Sequence, residues 1–175
     1  MNKSMRIGIL IQGVSVVICI ISLRLPQWYT AEHGHVGLFK MCIFDVCAAI
    51  KNAPDWIEGS QATMIMGFLA QCLSIAVCVL YTYNMEDKRY LSRFAFFASF
   101  AAGIFICICV IIIGTKKSHA EKRLEKLFNK IDIDYGASFY LAIVALLLSL
   151  VSGYFFYKIP CPENNVTSNV DSVPV

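Results

Sequence analysis

Eight cysteines are the residues of this chain with the widest chemistry open to them, and their positions sort them. Cys19, Cys72, Cys78, Cys107 and Cys109 fall inside long uncharged stretches, where a thiol behaves as a small apolar group that packs. Cys42 and Cys47 form the only pair in a connecting segment, while Cys161 stands near the C-terminus. The four residues between Cys42 and Cys47 suit a closed local turn. The alternation of Val36, Leu38 and Val46 points to short strands that would bring the two sulfurs together. A disulfide requires an oxidising compartment, so this reading sets the segment on the exterior or in the secretory lumen. Two other chemistries compete with it: a pair of free thiols in a cytosolic loop, and a metal site that draws on His33 and His35. The latter spacing matches no structural zinc pattern, which couples one close pair with a second matched pair.

Catalysis finds no constellation. There is no serine, histidine and acid spacing, no phosphate-cradling glycine loop and no CxxC pair, and His33, His35 and His119 all lie in loops. Cys107 and Cys109 are too close for a thiol reductase and lie mid-span. The chain is expected to be no enzyme and to use no cofactor or metal.

The elements that carry these residues follow from charge. Asp, Glu, Lys and Arg are absent from residues 7–23, 59–85, 94–115 and 135–157. Each stretch is long enough for a bilayer, which takes about 17–25 mostly apolar residues. Charged residues make up only 15% of the chain, hydrophobic residues 58%, and mean hydropathy is +0.64, which excludes an ordinary soluble domain. Spans are placed at about 7–23, 61–83, 94–115 and 135–157, in one domain of 175 residues. They are joined by a first loop at 24–60, a turn at 84–93, a second loop at 116–134 and a tail at 158–175. Lys3 and Arg6 precede the first stretch as in a signal peptide, but Arg24-Leu25-Pro26-Gln27-Trp28 offers no small-x-small cleavage pattern, so the helix is expected to stay. Short connections favour an up-down-up-down bundle of left-handed packing with both termini on one side.

Basic residues leave the orientation undecided. Lys3, Arg6, Lys88, Arg89, Arg93 and Lys158 flank one side, and the remaining nine of the 15 lie on the other. The Cys42 and Cys47 reading breaks the tie in favour of cytosolic termini. Cys161 is then a juxtamembrane thiol open to palmitoylation or left bare, and Val173-Pro174-Val175 ends in a carboxylate that a PDZ-type groove could accept, Pro174 weakening the fit. The sequons at Asn2 and Asn165 would be silent and therefore report topology.

Packing signals lie in the spans. Ala95, Ser99 and Gly103 recur every fourth residue, as do Ala145, Ser149 and Gly153, which lets membrane helices approach closely, within the bundle or between copies. Gln12 and Gln71 are the strongly polar side chains well inside the spans. No ionisable group lies deep in any of them, so the marks of a pump, proton relay or voltage sensor are missing. Residues 120–131 can form an amphipathic helix with Lys122, Lys126 and Lys130 along one side, a solvated face or a patch for an acidic partner.

The run Trp28, Gly37-Leu38-Phe39, Cys42, Cys47 resembles the W…GLW…C…C signature of the claudin superfamily, with Phe39 where the signature has tryptophan. The C-x4-C spacing is similar to its peripheral myelin protein, epithelial membrane protein and lens fibre membrane intrinsic protein branch. The run WIEGSQATMIM at 56–66 and the run YGASFYL at 135–141 resemble the openings of that branch's second and fourth spans. The resemblance implies a four-helix transmembrane bundle bearing a small extracellular antiparallel sheet, formed mainly by the first loop with a contribution from the second. In that setting Trp28 seats at the membrane boundary, Gly37 allows close backbone approach, and Leu38 and Phe39 form an apolar plug or an exposed tip. Phe39 and Phe44 are read equally as filling beneath the sheet or as partner contacts.

The expected role is organisation of cell-surface or junctional membrane through the first loop and lateral helix contacts, with the lipid bilayer, other membrane proteins or a second copy as partners. Plasma membrane and cell junctions are the implied location. Two alternatives stand beside it: a paracellular barrier or pore component lined by Glu32, Lys40, Asp45, Lys51, Asp55 and Glu58, and an auxiliary subunit of an ion channel.

Overall fold

A computed structural model of the chain describes residues 3–31, 34–43, 46–50, 53–83, 88–118 and 134–158. Among these, four helices are long and apolar enough to cross a membrane: α1 (Lys3–Arg24), α2 (Asp55–Tyr83), α3 (Lys88–Thr115) and α4 (Ala137–Tyr157). Five short strands accompany them: β1 (Tyr29–Ala31), β2 (Gly34–Val36), β3 (Lys40–Ile43) and β4 (Val46–Ala49) between α1 and α2, and β5 (Asp134–Tyr135) before α4.

Local chemistry sets the helix ends. Arg24 in the last turn of α1 suits the negative end of its dipole, and Pro26 stops the helix because proline disfavours helical geometry in the residue before it. α2 begins before the uncharged stretch does. The Pro54 carbonyl accepts from the Ile57 and Glu58 amides at 2.8 and 3.3 Å, and Asp55 and Glu58 supply negative charge to the first turn. The uncharged stretch therefore does not mark the start of the helix.

The fourth helix starts later than the charge pattern has it. Tyr135 belongs to β5, and Gly136 is extended (φ −86°, ψ 176°) with its amide donating to the Trp28 carbonyl at 3.0 Å, so α4 opens at Ala137. Leu38 also departs from the alternation reading: it lies in the turn between β2 and β3, not in a strand.

α2 packs chiefly on α3, α1 on α4, and α3 on α4, whereas α1 and α2 touch far less. A hydroxyl ladder locks α1 to α4. Ser152 donates to the Gly8 carbonyl at 2.9 Å, Ser15 to Ala145 at 2.8 Å and Ser22 to Ser138 at 2.8 Å. Each step of seven residues up α1 is matched by seven down α4, so the helices are antiparallel with the seven-residue period of left-handed packing. It also places the start of α1 and the end of α4 at one end of the bundle, with the sheet at the other. α3 and α4 repeat the device, with Ser92 donating to Phe156 at 2.9 Å one heptad from the Ser99 and Ser149 pair. In lipid no hydrophobic drive holds helices together, so close backbone approach and such hydrogen bonds must do it.

The outward faces are apolar. Leu10, Val14, Val17, Leu69, Phe97 and Leu147 are exposed side chains on helix surfaces, as a belt facing acyl chains requires.

Candidate functional site

The sheet runs β4-β3-β2-β1-β5, every neighbour antiparallel. The second connecting segment thus supplies the strand that closes the β1 edge, with Tyr29 opposite Tyr135. The sheet is bolted to the helices through its aromatic residues. Trp28 is 1% exposed, and its indole Nε1 donates to the Ser22 carbonyl at 3.1 Å, within the last turn of α1. The Tyr29 hydroxyl donates to the Ile113 carbonyl at 2.6 Å, and the Tyr135 hydroxyl to Gly114 at 3.0 Å. These last two caps occupy carbonyls near the end of α3, where helical partners run out. Leu38, Trp28 and Tyr29 join Cys19, Met64, Ile106 and Phe139 in one core that continues from the sheet into the bundle.

Two glycines permit this seat. A Cβ on Gly136 would collide with the Gln27 carbonyl, and one on Gly37 would come within 2.6 Å of the Pro26 Cα. Only the residue without a side chain lets the chain pass at either point. The turn after Gly37 is fixed on both sides: the Gly37 amide donates to the Lys40 carbonyl at 2.8 Å, and Gln61 Nε2 of α2 donates to the Leu38 carbonyl at 2.6 Å. Phe39, next in the turn, is 37% exposed, and its carbonyl accepts from the Ile50 amide at 3.2 Å.

Cys42 and Cys47 sit directly opposite each other on β3 and β4 and are joined by a disulfide, with Cα atoms 4.0 Å apart. Cys42 is buried and Cys47 exposed, so the bond ties the outermost strand to the body of the sheet. With both sulfurs bonded, neither is a thiolate ligand, and among the described residues no three or more His, Cys, Asp and Glu side chains gather to hold a metal. His35 pairs with Thr30 and Cys42 across the sheet, half-buried, while His33 lies outside the described residues. All four residues of β4 are exposed, and β4 forms an edge of the sheet with Val46 72% exposed.

The two small-residue ridges lie within the bundle. Ala95, Ser99, Ala145 and Ser149 are at most 1% exposed, Gly103 and Gly153 are buried, and Gly153 lies against Ser99. Gln12 and Gln71 are fully buried as well, Gln71 Nε2 donating to Ser15 Oγ at 2.9 Å and Gln12 Oε1 lying 3.0 Å from Ser99 Oγ. A polar layer therefore crosses all four helices. The sequence reading missed Gln61, Tyr29 and the serine ladder; the ladder was signalled by Gly8, Ser15 and Ser22 against Ser138, Ala145 and Ser152, both at heptad spacing. Phe44, the amphipathic run 120–131, the sequons at Asn2 and Asn165, Cys161 and the end at Val175 lie outside the described residues.

Residues 1–156 match the family model described as the PMP-22/EMP/MP20/Claudin family, a match that takes in the sheet and nearly all of the helical bundle. With four apolar helices, a small sheet borne between the first two and a disulfide within it, this chain is a multi-pass membrane protein and belongs to the PMP-22/EMP/MP20/Claudin family.

Proposed function

We propose that this protein is a non-enzymatic organiser of cell-surface or junctional membrane, displaying its sheet outside the cell with both termini cytosolic. The observation that carries this reading is the free edge of the sheet. β4 presents four exposed residues, its outward backbone groups have no strand neighbour among the described residues, and the Cys42–Cys47 bond holds it in place. An exposed strand edge bearing apolar side chains is a template for another chain. Val46, 72% exposed, gives this edge its apolar character.

Association in this reading runs through the sheet and the lipid-facing helix surfaces, since the small-residue ridges are spent inside the monomer. The partners are other membrane proteins or a second copy, in the same membrane or an apposed one. Cytosolic termini leave Cys161 open to palmitoylation and Val175 open to a PDZ-type groove.

Expression in epithelial cells that lack claudins tests the role. An organiser gathers at cell contacts without changing transepithelial resistance, and Val46→Asp disperses the clusters at normal surface level. Altered ion selectivity that responds to charge reversal at Asp45 or Glu32 would instead make the chain a barrier component.

A further inference from the structure

Where the loosest seam of the bundle meets the sheet, α1 and α2 part to leave a half-open cavity of about 500 Å³. Ile20 and Leu23 of α1 and Ile65 and Phe68 of α2 form its walls, and the turn 37–40 forms its roof. Arg24 and Lys40 line it too, both exposed, and no carboxylate does among the described residues. The roof is a fixed feature, held by the Gly37 to Lys40 and Gln61 to Leu38 hydrogen bonds. A hollow of this size with apolar walls holds water poorly, and an apolar slot with a few convergent polar groups at one end is the usual form of a ligand site. Here the wall residues belong to helices long and apolar enough to cross a membrane, and Arg24 closes the last turn of α1, where such a span ends.

We propose that this groove binds one glycerophospholipid from the leaflet on the sheet side, an acyl chain lying in the slot and the phosphodiester between Arg24 and Lys40. Charge complementarity selects this occupant: two cations beside an apolar slot that no carboxylate lines among the described residues fit an amphiphile with an anionic phosphate, and guanidinium is suited to phosphate oxygens. The lipid fills the seam that the helices leave unpacked, and it joins the roof turn, with Phe39, to the bundle. The same chemistry holds whichever way the chain crosses the membrane.

The test uses the full chain, purified in detergent and stripped of lipid, then incubated with dioleoylphosphatidylcholine or with dioleoylglycerol and read by native mass spectrometry. One phosphatidylcholine per chain should be retained about tenfold more than dioleoylglycerol, which lacks the phosphate. The double variant Arg24→Gln, Lys40→Gln should lose that preference while keeping its disulfide. Ile65→Trp, at a position 41% exposed and so tolerant of bulk, fills the slot with both charges intact and should abolish retention of either lipid. Equal retention of the two lipids by the unaltered chain, or phosphatidylcholine retention unchanged in either variant, would overturn the site.

Discussion

Ser99 of α3 and Ser149 of α4 are reciprocally bonded across a buried seam, the Ser99 hydroxyl 2.7 Å from the Ser149 carbonyl and the Ser149 hydroxyl 3.0 Å from the Ser99 carbonyl. Both are fully buried, and Gln12 meets the same Ser99 oxygen from α1. The pair shows how this bundle coheres in lipid: small side chains admit the opposing backbone, then hydroxyls bond to it.

Truncating this pair should cost little, and enlarging it should cost much more. Ser99→Ala removes hydrogen bonds worth about 1 kcal/mol but keeps the close approach. Ser99→Leu must force α3 from α4 and should cost about 1–3 kcal/mol or more. Thermal unfolding in bicelles checks the order; a Leu variant as stable as the Ala variant would show that the seam is not tightly packed.

Glycine substitutions should split by location. Gly136→Ala drives a methyl group into the Gln27 carbonyl, so it should unseat β5 and block surface delivery. Gly13→Ala has nothing within 4 Å of the added carbon and should be neutral, or stabilising by about 0.5–1 kcal/mol through lower backbone entropy. Surface biotinylation of the two variants side by side reads the contrast.

Trp28 should matter as a body and as a donor. Trp28→Ala empties a fully buried site and is expected to cost about 3–5 kcal/mol, whereas Trp28→Phe keeps most of the volume and loses the bond to Ser22 for about 1 kcal/mol. Equal loss in the two variants, measured by unfolding in detergent, would mean that the hydrogen bond and not the packing seats the sheet.

The disulfide should protect the edge strand more than the fold. Its short loop limits the entropic gain to about 2 kcal/mol. Cys42→Ser, alone or with Cys47→Ser, should therefore leave the helical content intact while amides of β4 lose hydrogen-exchange protection before those of β1 and β2. Loss of protection across the whole sheet would show that the bond holds all five strands.

The sequence disclosed the helices because lipid forces it to: a span must be free of charge for its full length, and Asp, Glu, Lys and Arg bracket all four. It disclosed Trp28, Cys42 and Cys47 because few residue types serve a membrane boundary or a covalent tie. The charge boundary misled at the helix ends, where α2 begins at Asp55, ahead of the uncharged stretch, and Gly136 delays α4. Leu38 looked like a strand residue because alternation is a weak signal over so few residues, whereas it lies in a turn closed by the Gly37 amide donating to the Lys40 carbonyl. The groove beneath Lys40 was invisible in sequence because its walls come from residues far apart in the chain, Leu23 and Phe68 among them, that only the α1 and α2 seam brings together.

Intact-mass analysis of the full chain purified from mammalian cells, with and without thiol reduction and glycosidase, tests most directly that the sheet stands outside the cell with its edge tied by Cys42 and Cys47. A mass that rises on reduction, with no glycan on Asn165, is the predicted result. Glycan on Asn165 together with free thiols at Cys42 and Cys47 would contradict it, inverting the chain in the membrane and removing the sheet from the cell surface.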